Sequence, residues 1–168
     1  MCTQKFDKSY LAMAEVWAQN AYAKRAKVGA LIVKNGQIIS DGFNGTPSGF
    51  DNCCEDVMCT CQWIHGCRKD ARPISEVISP EHCSDCSDCK MVTKKEVLHA
   101  EANAITMLSS STQSSEGATL YVTLSPCYDC AKLIIQSGIK RVVYKEQYRE
   151  TSGLDLLKSA GIEVVNLK

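Results

Sequence analysis

Residues 118–130 read ATLYVTLSPCYDC, an apolar run that is followed by a proline and two cysteines. The run predicts a β-strand over residues 118–124. Pro126 suits the first turn of a helix, because proline has no N–H group to leave unpaired. The same order continues downstream, with a strand over residues 141–144, a helix near residues 153–160 and a strand over residues 162–165. Strands that alternate with helices predict a layered α/β domain.

Upstream of this region, the hydrophobic pattern predicts a helix and a hairpin. Apolar residues at three- and four-residue spacing predict an amphipathic helix over residues 8–24. Two apolar runs, residues 28–33 and 37–40, flank Asn35-Gly36, and this arrangement predicts a β-hairpin. Residues 42–47 are expected to form a turn-rich loop.

The composition is that of a globular protein. Of 168 residues, 45% are hydrophobic and 23% are charged, so a single domain, residues 1–168, with one inserted segment is expected. Nineteen basic and nineteen acidic residues give a formal charge of zero, which argues against a polynucleotide partner and leaves a nucleotide-sized substrate open. No run approaches the roughly 20 apolar residues that span a membrane. Because the polar N-terminus also lacks a signal-peptide core, a cytoplasmic protein without a membrane partner is expected.

Eight of the eleven cysteines lie between Cys53 and Cys89, in a stretch with little hydrophobic periodicity. This stretch, about residues 51–92, is interpreted as an insertion that is ordered by zinc rather than by an apolar core. The run Cys83-x-x-Cys86-x-x-Cys89 contains two overlapping C-x-x-C pairs, a spacing typical of a sulfur-rich structural metal site. The alternative is a set of unliganded or oxidised thiols.

A further group of metal-ligating residues is divided between two predicted helices. His99-Ala100-Glu101 opens a helix predicted over residues 99–108, and Cys127 and Cys130 open the helix after Pro126. One imidazole and two thiolates form a three-ligand zinc set with a fourth position for water. A carboxylate two residues after the histidine can accept a proton from that water. Alone, C-x-x-C also fits a redox pair or a structural metal site, but both motifs in this order are typical of zinc deaminases.

The two motifs resemble those of the deoxycytidylate (dCMP) deaminases, a family of the cytidine deaminase-like superfamily. The similar segments are residues 99–105, HAEANAI, and residues 121–131, YVTLSPCYDCA. Residues 28–30, VGA, and residues 42–49, GFNGTPSG, are similar to further segments of that family, and the bacterial and bacteriophage forms are the most similar. The resemblance implies a three-layer α/β/α fold around a five-stranded mixed sheet. It also implies hydrolysis of dCMP to dUMP and ammonia, which supplies dUMP for dTTP synthesis.

The resemblance implies roles for individual residues. The catalytic zinc would be bound by His99, Cys127 and Cys130, and Glu101 would carry a proton from water to the ring nitrogen. Implied substrate contacts are the side chain of Asn44 near the sugar and the backbone of Ala100 and Ser125 at the base edge. Two residues depart from the family pattern: Phe43 replaces a commoner tyrosine, and Tyr128, in place of a smaller residue, either lines the pocket or packs.

A monophosphate substrate needs cationic or N–H groups beyond the sugar. Lys24, Arg25 and Lys27 lie where the family has part of its phosphate site. Arg25 is preferred, because a guanidinium can hold phosphate through two hydrogen bonds. The alternative is a solvated helix end whose cations offset the helix dipole. Tyr148 and Arg149 are further candidates.

A second metal, effectors and an assembly are also implied by the resemblance. Cys54 and Cys89 match the positions of a second, structural zinc in related phage and bacterial deaminases, and further candidate ligands are Cys83, Cys86 and Cys59. Activation by dCTP with Mg²⁺, inhibition by dTTP and a homohexamer are implied, with effector-facing candidates Gly29, Gly42, Phe43 and Gly45. A virus-encoded chain would act in the host cytoplasm. The alternatives are another zinc nucleotide or nucleobase deaminase of the superfamily, or a nonenzymatic interaction module that zinc orders.

Overall fold

A computed structural model describes residues 3–59 and 89–167, and a five-stranded sheet lies at its centre. The strands of the large sheet are β1 (Gly29–Lys34), β2 (Gln37–Phe43), β5 (Thr119–Leu124), β6 (Arg141–Glu146) and β7 (Glu163–Asn166). Two further strands, β3 (Glu55–Cys59) and β4 (Cys89–Thr93), form a separate hairpin. The order in the large sheet is β2-β1-β5-β6-β7. β1 is antiparallel to both of its neighbours, whereas β5, β6 and β7 are parallel. The five-stranded mixed sheet is therefore confirmed.

Helices cover both faces of this sheet. They are α1 (Thr3–Ala18), α2 (Ala100–Met107), α3 (Tyr128–Gln136) and α4 (Ser152–Ser159), and a short 3₁₀ turn, Leu108–Ser110, follows α2. Successive strand residues face opposite sides of a sheet. Accordingly, Leu120 and Val122 of β5 pack in one cluster with α2, α3 and α4, whereas Tyr121 packs with Ala14 of α1. The predicted three-layer α/β/α arrangement is confirmed. Among the described helices, none has the length and apolar character that crossing a membrane requires.

The predicted hairpin of β1 and β2 is also confirmed. Asn35 and Gly36 have φ values of 53° and 77°, and two positive φ angles are what a type I′ turn requires. The predicted start of the following loop, at residue 42, is two residues too early, however. Gly42 and Phe43 belong to β2, because both pair with β1 in the antiparallel ladder.

The first helix ends earlier than the pattern of residues 8–24 predicts. It stops at Ala18, and the side-chain amide of Asn20 donates a hydrogen bond of 3.1 Å to the carbonyl oxygen of Trp17. The backbone N–H groups of residues 19–21 also donate to the carbonyl oxygens three residues earlier, so the helix ends in tight turns and no further α-helical turn follows. Residues 24–27 therefore lie outside the helix. The interpretation of their cations as partners of a helix dipole is wrong, because that effect acts only within the last turn.

Two glycines allow helices to approach the sheet closely. A Cβ atom on Gly29 would lie 2.1 Å from the carbonyl oxygen of Ala14 in α1. A Cβ atom on Gly42 would lie 2.4 Å from the carbonyl oxygen of Ala100 in α2. Both distances are far below van der Waals contact, so the absence of a side chain sets how near α1 and α2 lie to the strands.

The cysteine-rich stretch begins and ends in a two-stranded hairpin that the sequence pattern did not predict. β3 pairs with β4 in antiparallel register, from Glu55 opposite Thr93 to Cys59 opposite Cys89. The sequence does not predict these two strands, because both are short and their cysteines indicate metal ligands rather than extended structure. Cys83 and Cys86 lie outside the described residues.

Candidate active site and metal centre

The three predicted zinc ligands meet at the N-termini of α2 and α3. His99 immediately precedes α2 and Cys127 immediately precedes α3, both with extended backbone angles. Each accepts the first helical hydrogen bond at its carbonyl oxygen, from Asn103 (3.0 Å) and Ala131 (2.9 Å) respectively. The free N–H groups of a first helical turn carry positive partial charge, which favours an anionic sulfur there.

The ligand atoms have the spacing that one metal ion requires. The sulfur atoms of Cys127 and Cys130 each lie 3.4 Å from Nδ1 of His99, and all three atoms lie within 4.8 Å of one another. Tetrahedral zinc, with Zn–S near 2.3 Å and Zn–N near 2.0 Å, separates sulfur from nitrogen by about 3.6 Å. The donor set and its spacing therefore fit zinc.

The electrostatics of this cluster favour a thiolate at Cys127. Hydrogen bonds from the Cys130 thiol and from the His99 ring lower the pKa of Cys127 to about 4. The same hydrogen bond with Cys127 raises the pKa of His99. The pKa of Cys130 is raised, first by its hydrogen bond with Cys127 and then by burial. Because zinc binds the thiolate form of cysteine, the cluster holds part of the required negative charge in advance.

Glu101 lies beside the cluster in the first turn of α2 and is 3% exposed. Burial raises the pKa of its carboxyl group to about 7. The side chain lines a cavity of about 240 Å³ together with His99 and Cys127. A buried carboxylate that faces a cavity next to a metal site is suited to accept and return a proton.

The same cavity collects most of the predicted substrate-contacting residues. Its lining includes the candidates Arg25, Asn44, Ala100, Ser125, Tyr148 and Arg149. These residues come from five separate parts of the chain, which the fold brings together at the carboxyl end of β5. A cleft at the carboxyl ends of parallel strands is the usual ligand site of an open α/β sheet.

Two predicted substrate residues lie elsewhere. Lys27 lines an adjoining cavity of about 580 Å³ that shares Ala26 with the first, and its ammonium group donates a hydrogen bond of 3.1 Å to the carbonyl oxygen of Gln19. Tyr128 is exposed, and the ammonium group of Lys132 lies 5.5 Å from the centre of its ring. Neither side chain lines the cavity that contains Glu101.

The side chain of Asn44, directly after β2, binds the backbone of the segment before β1 at the cavity. Its Oδ1 accepts a hydrogen bond of 2.8 Å from the N–H of Val28, and its Nδ2 donates one of 2.9 Å to the carbonyl oxygen of Ala26. Asn103 of α2 supports the preceding residue, because its Nδ2 donates a hydrogen bond of 2.7 Å to the carbonyl oxygen of Phe43. Asn103 lies within the segment HAEANAI, residues 99–105, but nothing in the sequence indicates its partner.

Ser125 is buried and forms two hydrogen bonds across the cavity floor. Its N–H donates to the carbonyl oxygen of Glu146 at 2.8 Å, and its hydroxyl oxygen accepts from the N–H of Tyr148 at 2.7 Å. The hydroxyl therefore holds the loop after β6, which carries Tyr148 and Arg149, against the cavity.

Two cavity residues from the hairpin of the cysteine-rich stretch were missed. Glu55 of β3 and Thr93 of β4 line the cavity near Arg25. No sequence motif marks them, because their position depends on the pairing of strands that are far apart in the chain. They lie at the base of the predicted insertion, where cysteines dominate the sequence pattern.

The candidates for a structural zinc are only partly described. Cys54 is 1% exposed, and burial raises the pKa of its thiol. The side chains of Cys59 and Cys89 lie outside the described part of the chain, and among the described side chains the group of His99, Cys127 and Cys130 is the one that could hold a metal ion. The structural zinc therefore stays a prediction.

The effector candidates lie in β1, in β2 and just after β2. Gly29 and Gly42 are buried against α1 and α2, so the close approach of these helices accounts for both glycines. Gly45 forms an isolated bridge with Leu98 through two backbone hydrogen bonds. An effector role for these residues and for Phe43 stays a prediction.

Comparisons with known proteins agree with this geometry. A family model described as the cytidine and deoxycytidylate deaminase zinc-binding region matches residues 4–146. The chain is 43% identical to a deoxycytidylate deaminase of Enterobacteria phage T4, over 94% of this chain and 87% of the phage protein. It is 36% identical to a deoxycytidylate deaminase of Mycobacterium phage D29, over 88% of this chain and 99% of that protein.

A solved structure is similar over nearly the whole length. The dCMP deaminase of cyanophage S-TIM5, crystallised in complex with dCMP and dUMP, matches with a TM-score of 0.74 and 36% identity. The match covers 97% of each chain. Both the sheet and the arrangement of helices around it are thus shared with an enzyme of known structure.

Proposed function

The chain belongs to the cytidine and deoxycytidylate deaminase family, and on that premise we propose that it hydrolyses dCMP to dUMP and ammonia. The observation that carries the proposal is the buried Glu101 carboxylate in one cavity with a His99, Cys127 and Cys130 cluster that fits zinc. A purely structural metal site needs no such carboxylate. The phage relatives that are named deoxycytidylate deaminases support dCMP as the substrate.

The reaction requires water to add to C4 of the cytosine ring and the exocyclic amine to leave. When the cluster binds zinc, the ion acts as a Lewis acid that lowers the pKa of the attacking water. Glu101 takes the proton from that water and delivers it to N3 of the ring. The carboxylate then takes the remaining proton of the added water from the hydroxyl on C4 and transfers it to the departing amine, so that C4 keeps the oxygen as a carbonyl and the amine leaves as ammonia. Burial keeps the pKa of Glu101 close to neutral, so the group can both accept and donate protons.

The substrate's phosphate is proposed to lie near Arg25, and Tyr148 and Arg149 line the same cavity. A guanidinium can hold phosphate through two parallel hydrogen bonds. Lys27 is not part of this proposal, since its ammonium group faces Gln19 outside the cavity. Asn44 would contact the sugar, and the backbone of Ala100 and Ser125 the edge of the base.

The function is tested by ammonia release from dCMP, dCTP, deoxycytidine and cytidine. We expect dCMP to have the highest kcat/KM. Glu101→Gln should lower kcat by about a hundredfold to ten-thousandfold, as loss of general acid–base catalysis predicts, with zinc content and unfolding temperature unchanged. Glu96→Gln is the control, because this exposed glutamate lies outside the cavity lining. Turnover that survives Glu101→Gln would exclude this mechanism, and a wild-type chain that binds zinc without releasing ammonia would favour the interaction module.

A second, structural zinc in the cysteine-rich stretch is also proposed. Its support is the density of cysteines there and the burial of Cys54 at the base of the hairpin. Elemental analysis of the purified chain should give more than one zinc per chain. Exactly one zinc, lost on Cys127→Ser, would remove the proposal.

We also propose that nucleotides control the activity and that the chain assembles into a homohexamer. The support is family membership alone, and the expected effectors are dCTP with Mg²⁺ as activator and dTTP as inhibitor. Initial rates at subsaturating dCMP should rise with dCTP and fall with dTTP, and light scattering should give six times the chain mass. Rates that neither nucleotide changes, or a monomer in solution, would overturn the respective part.

We place the reaction in the cytoplasm, including that of an infected host if the chain is virus-encoded, where dUMP would supply dTTP synthesis. The phage relatives and the unpaired thiols of the described cysteines support this location. A fluorescent fusion that localises outside the cytoplasm would contradict it.

A further inference from the structure

The segment before β1 is held by the β3–β4 hairpin. A single carboxylate oxygen of Glu55 accepts hydrogen bonds from the N–H groups of Lys24 (2.9 Å) and Arg25 (3.1 Å). Glu55 is buried, and its partners lie in irregular backbone that no helix or strand supports. The carboxylate therefore fixes the course of the chain at the point where the Arg25 side chain begins.

The other end of Arg25 is held by the opposite strand of the same hairpin. One guanidinium nitrogen of Arg25 donates a hydrogen bond of 3.1 Å to the hydroxyl oxygen of Thr93. Glu55 and Thr93 are directly paired in the β3–β4 register, so their side chains leave the hairpin on one face. One cross-strand pair thus contacts both the backbone and the guanidinium of the same arginine.

This arrangement leaves most of the guanidinium available to a ligand. Arginine has five N–H donors, and the hydroxyl of Thr93 is the partner found for this side chain among the described residues. In that part of the chain, Arg25 forms no side-chain ion pair within 4.0 Å. Arg25, Glu55 and Thr93 all line the cavity that contains Glu101.

We infer that Glu55 and Thr93 are positioning residues that orient Arg25 toward the substrate's phosphate, so that the hairpin of the cysteine-rich stretch determines the preference for nucleoside monophosphate over nucleoside. The inference rests on the proposed phosphate role of Arg25. It assigns to the hairpin a part in substrate selection that is separate from any metal it carries. Neither residue needs to contact substrate for this effect.

The test measures binding rather than turnover, with dUMP and deoxyuridine as probes in calorimetric titrations. Thr93→Val removes the hydroxyl from an exposed position at nearly constant volume, and Thr93→Ser retains it. We expect Thr93→Val to weaken dUMP binding by about fivefold to tenfold, the effect of losing one hydrogen bond of ordinary strength. Deoxyuridine binding should be unchanged, and Thr93→Ser should restore the wild-type preference. Glu55→Gln should also keep the preference, since its amide oxygen can still accept both N–H bonds.

A double variant separates positioning from general disturbance. If Thr93 acts through Arg25, then Thr93→Val should have no further effect on dUMP affinity in an Arg25→Ala background. Equal losses for dUMP and deoxyuridine, additive losses in the double variant, or no loss in Thr93→Val would overturn the inference. Because the titrations need no turnover, these outcomes are distinct from failure of the proposed reaction, which the ammonia assay of the wild-type chain reports.

Discussion

Ser125 links the floor of the cavity to the loop after β6 through one hydroxyl group. Ser125→Ala keeps the backbone that is predicted to contact the base but removes the acceptor for the N–H of Tyr148. Loss of one such hydrogen bond costs about 1 kcal/mol, so KM for dCMP should rise about fivefold while kcat changes less. Steady-state assays of ammonia release measure both constants.

A second serine provides the control for this prediction. The hydroxyl of Ser115 donates a hydrogen bond of 2.7 Å to the carbonyl oxygen of Ser137, away from the cavity lining. Ser115→Ala should leave KM unchanged although it also removes one hydrogen bond. An equal rise in KM for both variants would show that Ser125 acts through general stability and not through the loop.

At the residue scale, the sequence predicts those relations between site residues that depend only on their spacing along the chain. His99 and Glu101, like Cys127 and Cys130, lie within one turn of a helix start, so their relation follows from the motif alone. Glu55 belongs to the same cavity, but its contacts with Arg25 span 30 residues of chain. No local pattern encodes such a contact, because the packing of the hairpin against the segment before β1 creates it.

At the element scale, Gly42 determines how closely α2 lies against β2. A Cβ atom there would lie 2.4 Å from the carbonyl oxygen of Ala100 and 2.5 Å from the nitrogen of Ala104. Gly42→Ala must therefore displace α2, which begins directly after His99 and carries Glu101. Overpacking of this kind costs about 1–3 kcal/mol, and kcat/KM should fall by more than the loss of folded protein explains. Urea unfolding and ammonia assays measure the two effects.

Gly45 provides a matched control in the same segment. A Cβ atom on Gly45 meets nothing within 4 Å, so Gly45→Ala should change the free energy of unfolding by less than about 0.5 kcal/mol. If Gly42→Ala is equally mild, then α2 can move away from β2 without loss of the site, and the close approach is not required.

The elements themselves were largely predictable because the strands of the sheet are continuous apolar runs. Both faces of β1 and β5 are covered by helices, and this produces the hydrophobic pattern that the sequence shows. β3 and β4 lack this pattern, since they form a separate two-stranded sheet with exposed residues such as Met91 and Val92. The end of α1 was misplaced because the apolar spacing continues to Ala21, whereas the backbone of residues 19–21 already forms tight turns.

At the scale of the whole molecule, one buried carboxylate joins the N-terminal helix to the sheet. Asp7 of α1 is paired with Arg141 of β6 through two hydrogen bonds of 2.8 Å, and the hydroxyl of Tyr121 in β5 donates to it at 2.6 Å. Arg141 also contacts the exposed Glu163 of β7 at 3.1 Å. The network connects α1 to three neighbouring strands, and Asp7 is separated from Tyr121 by 114 residues and from Arg141 by 134 residues of chain.

Asp7→Asn should destabilise the fold by about 3 kcal/mol at pH 7, because it leaves a partly buried guanidinium without its main partner. Hydrogen bonds from Arg141 hold the pKa of Asp7 below its usual value of 3.8. The stabilisation is thus present above about pH 4 and is lost as the pH falls through the lowered pKa, so wild type and variant should converge at low pH. Urea unfolding across this pH range measures the difference in the free energy of unfolding. Glu163→Gln is the control, because Glu163 is the exposed partner of Arg141, and its loss should cost less than about 1 kcal/mol. A pH-independent difference would show that Asp7 stabilises α1 by packing rather than by charge.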